Sequence, residues 1–173
     1  MLLEKIAHKI ENLSEKIGKS VSWLAFVLVL LVCFDVVSRY LFKFSSVAVQ
    51  ELEWHLFAVI FLIGAAYTLK HDEHVRVDLI YSRLSQKAQA LINILGTILF
   101  LIPFCLMIVY ASQNFVISSF NMSETSPDPG GLPARYILKA ILPISFLLIL
   151  IQSFALIIRS LVQFRKASYK ENL

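Results

Sequence analysis

QELEWHLFAVIFLIGAAYTLKHDEHV, running from Gln50 to Val75, decides how this chain is read. Two carboxylates (Glu51, Glu53) and a tryptophan (Trp54) open it. An uncharged run follows from Leu56 to Leu69, and a charged segment with two histidines (Lys70, His71, Asp72, Glu73, His74) closes it. An apolar run bracketed by charge and tryptophan has the layout of a helix crossing a bilayer. Glu51 and Glu53 fall in its first turn, where carboxylates favour the positive end of the helix dipole, and Trp54 stands where interfacial tryptophans stand. Capping and anchoring therefore account for these three residues without any further role. Gly64, Ala65 and Ala66 offer a smooth patch for close helix packing.

The rest of the chain repeats the same chemistry. Of its 173 residues 58% are hydrophobic and 16% charged, against roughly 45–50% and about 25% in soluble chains. Mean hydropathy is +0.73. The excess lies in long uninterrupted runs, so the composition excludes a soluble domain and implies an integral membrane protein. The net charge of +4 sits at the edges of these runs, where bases orient a membrane protein, and no nucleic-acid partner is expected. Cys33 and Cys105 fall inside apolar runs and read as packed thiols rather than a disulfide or a zinc site.

Residues 1–20 place Leu2, Leu3, Ile6, Ile10, Leu13 and Ile17 on one helical face and seven charged residues on the other. Acids interleave the bases, which is not the layout of a signal peptide. The pattern predicts an amphipathic helix in the membrane interface; a solvated helix docked on a partner fits the same pattern. Four spans follow, at about 21–42, 52–69, 88–117 and 136–158, together a transmembrane domain over 21–158, with a basic tail at 159–173. No charge occurs between Lys87 and Glu124, which is too long for one crossing and too short for two with a turn. It predicts one long span, tilted or protruding, kinked at Pro103. The stretch from Asn121 to Arg135 (NMSETSPDPGGLPAR) predicts a rigid, turn-rich connector. The expected fold is an all-α integral membrane protein, with four transmembrane helices preceded by the N-terminal amphipathic helix.

Of the sixteen Lys and Arg residues, twelve lie in the N-terminal segment, the middle connection and the tail. Four (Arg39, Lys43, Arg135, Lys139) lie in the other two connections or beside them. Basic residues gather on the cytoplasmic side, so both termini are expected to be cytoplasmic and the DPGGLP loop to face outward.

Chemistry is sparse. Asp35 and Arg39 lie four apart on one face of the first span. They read either as an intrahelical pair that tolerates the bilayer or as a pair facing another subunit. An intramembrane charge costs about 2.5–3.5 kcal/mol near the centre on insertion scales, which makes lipid a poor neighbour for Asp35. Bis-histidine haem needs ligands at matching depth on facing helices. His8, His55, His71 and His74 lie at different depths, so no cofactor is expected. His71 and His74, with Asp78 nearby, have a spacing that could ligate a metal and that a solvated interfacial segment explains equally well. No nucleophile–base–oxyanion set and no phosphate-cradling loop can be assembled, so the chain reads as no enzyme. Spans with apolar midsections supply no polar path across the membrane, and the chain reads as an accessory subunit rather than a carrier.

Three motifs carry a family resemblance: Asp35–Arg39–Tyr40 at the end of the first span, E-L-E-W at Glu51 to Trp54, and K-H-D-E-H-V-R-V-D at Lys70 to Asp78. With them the chain resembles the small membrane (Q) subunit of tripartite ATP-independent periplasmic (TRAP) transporters. The stretch DPGGLPARYILK, Asp128 to Lys139, is similar to the version found in members that handle small organic anions. The resemblance implies a large membrane subunit that couples the substrate to sodium and moves like an elevator, and a periplasmic substrate-binding protein that delivers the solute. It implies that this chain braces the static scaffold, through Asp35, Arg39, Glu51, Glu53 and Trp54, and helps dock the binding protein through Asp128, Pro129, Gly130, Gly131 and Pro133. Membrane lipid is the remaining expected partner. A membrane anchor for a redox enzyme, a self-sufficient small carrier and a membrane enzyme of lipid metabolism, for which the sequence offers no acid–base set, are the rival readings.

Overall fold

In hydrocarbon a backbone must satisfy its own N–H and C=O groups, so long uncharged runs fold as helices. The computed structural model describes residues 2–71 and 81–171, with side chains for 3–71 and 81–169, and every regular element among them is helical. The elements are α1 (Leu2–Leu41), α2 (Val47–Lys70), α3 (Gln86–Asn121) and α4 (Arg135–Glu171). All four are long and apolar enough to cross a membrane.

The helices run further than the hydropathy runs that announced them. α1 passes without a break through residue 20, where an interfacial helix was expected to give way to a span. Its 40 residues measure about 60 Å, twice the ~30 Å of a bilayer core. α4 likewise carries the expected basic tail as helix through Glu171. Ser14 of α1 meets Gln152 of α4 at 2.7 Å, so the start of α1 and the end of α4 continue side by side. The ends of the molecule are called here the terminal end, with both termini, and the loop end, with residues 122–134.

α4 is the hub. It packs along α1, α2 and α3, α1 also packs on α2, and α3 makes no comparable contact with α1. The row stays open: in the most apolar stretch of each helix 11% of residues are buried in α1, α2 and α3, and 22% in α4. Most of what is buried is small or polar. α1 turns Ala7, Glu11, Ser14, Gly18 and Val21 inward, then Asp35 and Ser38. α4 buries Ser145, Ser153, Ala155 and Ser160. Between helices in lipid the apolar effect vanishes and close backbone approach takes over, which favours small residues. Gly18 shows the limit, since a Cβ there would fall 2.2–2.8 Å from the Tyr67 side chain.

α3 shows what Pro103 does. Its buried residues are Ala90, Thr97, Cys105, Ser112 and Ser119. The step is seven except across Thr97–Cys105, where it is eight. The extra residue is a π turn at Thr97–Leu101, closed by the Ile102 N–H on the Thr97 carbonyl. Pro103 has no N–H to give to the preceding turn, and the wider i→i−5 turn takes up the loss. The insertion returns Cys105 to the face that meets α4, where Ala66, Leu69 and Ile149 join it in the apolar cluster.

α1 closes with the Ser38 carbonyl accepting from both Phe42 N–H and Phe44 N–H at 3.1 Å, and with Lys43 in the left-handed position at φ 55°.

Candidate functional site

The loop end holds most of the residues singled out in the sequence, and the structure divides them into two groups. Glu51 starts the first. It is 5% exposed, one turn inside α2, and its carboxylate reaches into the 122–134 loop. Oε1 accepts from the Ser126 hydroxyl at 2.5 Å and Oε2 accepts from the Leu132 N–H at 2.6 Å. Around this clamp the loop makes its own bonds. Ser126 N–H donates to Leu132 O at 3.1 Å, and Gly131 N–H donates to Asp128 O at 3.0 Å. Asp128-Pro129-Gly130-Gly131 is thus a four-residue turn with proline second and Gly130 third at φ 80°, the sign a type II turn requires there. Gly131 is obligatory for a different reason. A Cβ there would lie 2.4 Å from Ser126 and 2.8 Å from Glu51 Oε2. Glu124 closes the base of the loop: its carbonyl accepts from Arg135 N–H at 3.0 Å, and its carboxylate pairs with Lys139. The Lys139 ammonium holds the Glu124 carboxyl below the usual carboxylate range.

Trp54 belongs to this group. Its ring tilts against His55, centroids 4.0 Å apart, and the Arg135 guanidinium stands 5.6 Å over it. His55 is engaged as well, its Nδ1–H donating to Glu51 O at 2.5 Å.

The second group is Asp35, Arg39 and Glu53, between α1 and α2. Asp35 is 4% exposed and ion-paired with Arg39 one turn along the same helix, while the Arg39 guanidinium is about half exposed. Glu53 lies close enough to feel both charges. Its Oε1 is buried without a hydrogen-bond partner among the described residues. Two carboxyls and one guanidinium thus stand together at the edge of the helix row.

The terminal end holds contacts that sequence reasoning missed. Glu11, 3% exposed, pairs with Arg159. Glu15 accepts from Lys70 Nζ at 2.6 Å, His71 Nε2 at 3.0 Å and Lys19 Nζ at 3.1 Å. The signal was present as the spacing of Ala7, Glu11, Ser14, Gly18 and Val21. The apolar stripe drew attention instead, yet Leu3, Ile6 and Leu13 of that stripe are exposed. His71 is thereby tied to Glu15 and to the Tyr67 ring, centroids 4.4 Å apart. His74 and Asp78 lie outside the described residues. Among the described residues no three His, Cys, Asp or Glu side chains group as a metal site would.

The arrangement has two features: a hydrogen-bonded loop tip at one end of the helices, and a charged edge flanked by broad apolar faces along them. The family model for the DctQ component of tripartite ATP-independent periplasmic transporters matches residues 28–163. A Haemophilus influenzae protein assigned as a TRAP transporter small permease is 27% identical over 131 residues, which cover 76% of this chain and 80% of that protein. The matched region contains both groups at the loop end and stops short of Glu11, Ser14 and Glu15.

Proposed function

The chain belongs to the DctQ family, and from that premise we propose that it is the small, non-catalytic membrane subunit of a transporter taking up a small organic anion of the carboxylate class. In this reading it braces the scaffold of a large sodium-coupled subunit and helps dock a periplasmic binding protein. In this reading both termini lie in the cytoplasm of a bacterial inner-membrane protein and the 122–134 loop faces the periplasm, which the distribution of basic residues supports. The first half of α1 then stands at the cytoplasmic interface. Its polar side grips α2 and α4, and Leu3, Ile6 and Leu13 remain for the interface or a partner.

The observation that carries the proposal is the open row. A self-sufficient carrier surrounds its solute with polar groups near the midplane. Here the described polar side chains lie at the two ends or bond within their own helices, while Phe26, Leu30, Phe34 and Val37 of α1 stay exposed beside the Asp35–Arg39 pair. That surface suits a neighbouring protein that covers both apolar face and charge. The two groups at the loop end then have separate tasks. Asp35, Arg39 and Glu53 contact the large subunit, whereas Glu51 fixes the loop that carries Asp128, Pro129, Gly130 and Pro133 to the binding protein.

Affinity purification of the tagged chain from its native membrane in mild detergent tests this directly. A large many-span membrane protein should co-purify in equal amount. Arg39→Ala and Glu53→Ala should reduce that recovery and solute uptake together. Full recovery and full uptake in both variants would overturn the scaffold assignment.

A further inference from the structure

α2 and α3 flank α4, and the space between them changes along the helix row. Toward the terminal end Ala66, Leu69, Cys105 and Ile149 close it. Toward the loop end it stays open as a groove of about 360 Å³. Ala58 and Leu62 of α2, Phe115 of α3 and Leu138 and Leu142 of α4 wall it. Trp54 and Arg135 stand at its mouth, with Lys139 beside them.

The groove has a polarity. From Trp54 to Leu62 its α2 wall is about 12 Å long at ~1.5 Å per residue. That is most of the ~15 Å that half a bilayer core provides. The apolar end points into the membrane and the cationic, aromatic end lies at the water boundary. The charges at the mouth are assigned. Lys139 pairs with Glu124 and its ammonium also sits 4.1 Å over the Phe115 ring. Glu51 is held by Ser126 and Leu132. Arg135 stacks on Trp54 and has no carboxylate within ion-pair distance among the described residues.

We propose that this groove binds one acyl chain of a phospholipid from the leaflet at the loop end, with its phosphate held by Arg135. An apolar slot open to lipid does not stay empty, because a void forfeits dispersion contacts on all its walls. An apolar slot with a cation at its mouth matches a ligand with an apolar tail and an anionic head. An acyl chain is thin enough, and a guanidinium is the side chain suited to a phosphate at the mouth. The site lies wholly within this chain and does not depend on its transport role.

The test reconstitutes the full chain in nanodiscs of phosphatidylcholine doped with a phosphatidylglycerol bearing a diazirine on one acyl chain. Adducts are mapped by peptide mass spectrometry after irradiation. Labelling over Ala58–Leu62 and Leu138–Leu142 should exceed that of the exposed α1 face around Phe26–Phe34 about tenfold. Arg135→Gln should lower the groove labelling several-fold, and Ala58→Trp, which fills the slot, should abolish it. The α1 face should label unchanged in both variants, which reports that they remain folded. A photoreactive diacylglycerol, which lacks the phosphate, should show no enrichment. Equal labelling of groove and α1 face would overturn the proposal, as would groove labelling indifferent to Arg135→Gln. In native membranes, a protein cross-link at Leu142 in place of lipid would give the groove to a partner and overturn it as well.

Discussion

The two ends of this molecule use similar side chains in different ways. At the terminal end the polar residues of α1 bond to other helices: Glu11 to Arg159, Ser14 to Gln152, Glu15 to Lys70 and His71. At the loop end the polar residues of α1 bond to each other, Asp35 to Arg39. α2 and α4 are tied there through the loop, by Glu51 and by Glu124 with Lys139. α1 is therefore fastened at one end and left at the other with an apolar face and a self-neutralised pair. A helix that completes its own charge within one turn can present that charge to a neighbour without breaking any contact to its own fold.

The comparison breaks first at Gly18. If α1 is fastened through close approach near the terminal end, a side chain there must separate the helices. Gly18→Leu drives atoms into Tyr67, including its Cβ, which cannot swing away. Overpacking costs typically 1–3 kcal/mol and occasionally more, so we expect a loss of about 3 kcal/mol, read as reduced thermal stability in detergent. Adding Tyr67→Ala should restore part of it. A fully stable Gly18→Leu protein would show that α1 is not held there.

At the loop end the corresponding change is Glu51→Ala. It leaves the Leu132 N–H and the Ser126 hydroxyl without their acceptor, at roughly 1–3 kcal/mol for a buried group. Hydrogen exchange over 124–134 should accelerate by one to two orders of magnitude, at 1.4 kcal/mol per tenfold. The terminal-end amides should be unaffected. Binding-protein docking should weaken while large-subunit recovery persists, which separates the task of Glu51 from that of Arg39. Loss of large-subunit recovery in Glu51→Ala would merge the two groups again.

These contrasts also mark what could be read from the sequence. Four apolar helices and the loop were legible because hydropathy and turn residues act locally; at Pro103 a kink was expected, and the helix runs on with a π turn at Thr97–Leu101. The length of α1 was not legible. At residue 20 charge gives way to apolar residues, but helix continuity follows backbone bonding and nothing between Lys19 and Val21 interrupts that. Glu51 was expected as a first-turn acid, yet α2 begins at Val47 and holds no acid in its first turn; its role as a clamp was illegible because Ser126 and Leu132 lie 75 and 81 residues away. Asp35 and Arg39 were found together because an i,i+4 pair is local. The burial of Glu11 and Ser14 could have been read from their spacing with Ala7 and Gly18. In a membrane helix the small and polar stripe marks the packed face, and the greasy stripe marks the outside.

Acid sharpens the comparison with a smaller effect. Glu124 has its carboxyl held below its ordinary value of 4.5 by Lys139. A lowered folded-state value means that the pair's contribution is complete above the unfolded pKa and disappears as pH falls through the folded one. Loop exchange over 124–134 should therefore be flat, apart from the intrinsic chemistry, from pH 7 to about 5 and rise further down. Lys139→Met should remove that acid limb while raising exchange at neutral pH. An acid limb that persists in Lys139→Met would assign it to another carboxylate.

The smallest effect probes how α1 ends beside its charged pair. Lys43 occupies a left-handed position, φ 55°, in the closure that pairs Phe44 N–H with Ser38 O. A side chain in that region costs about 1–2 kcal/mol, which glycine avoids. Glycine in turn gives the unfolded chain more freedom, worth about 0.4–1 kcal/mol. The net expectation for Lys43→Gly is a gain of a few tenths to about 1 kcal/mol, visible as a small rise in melting temperature. Because the closure orients the last turn of α1, which carries Arg39, the same variant should leave large-subunit recovery unchanged. A more stable protein that assembles less well would mean that the Lys43 ammonium, and not the turn it sits in, takes part in the contact. The charged edge would then extend one turn beyond Arg39.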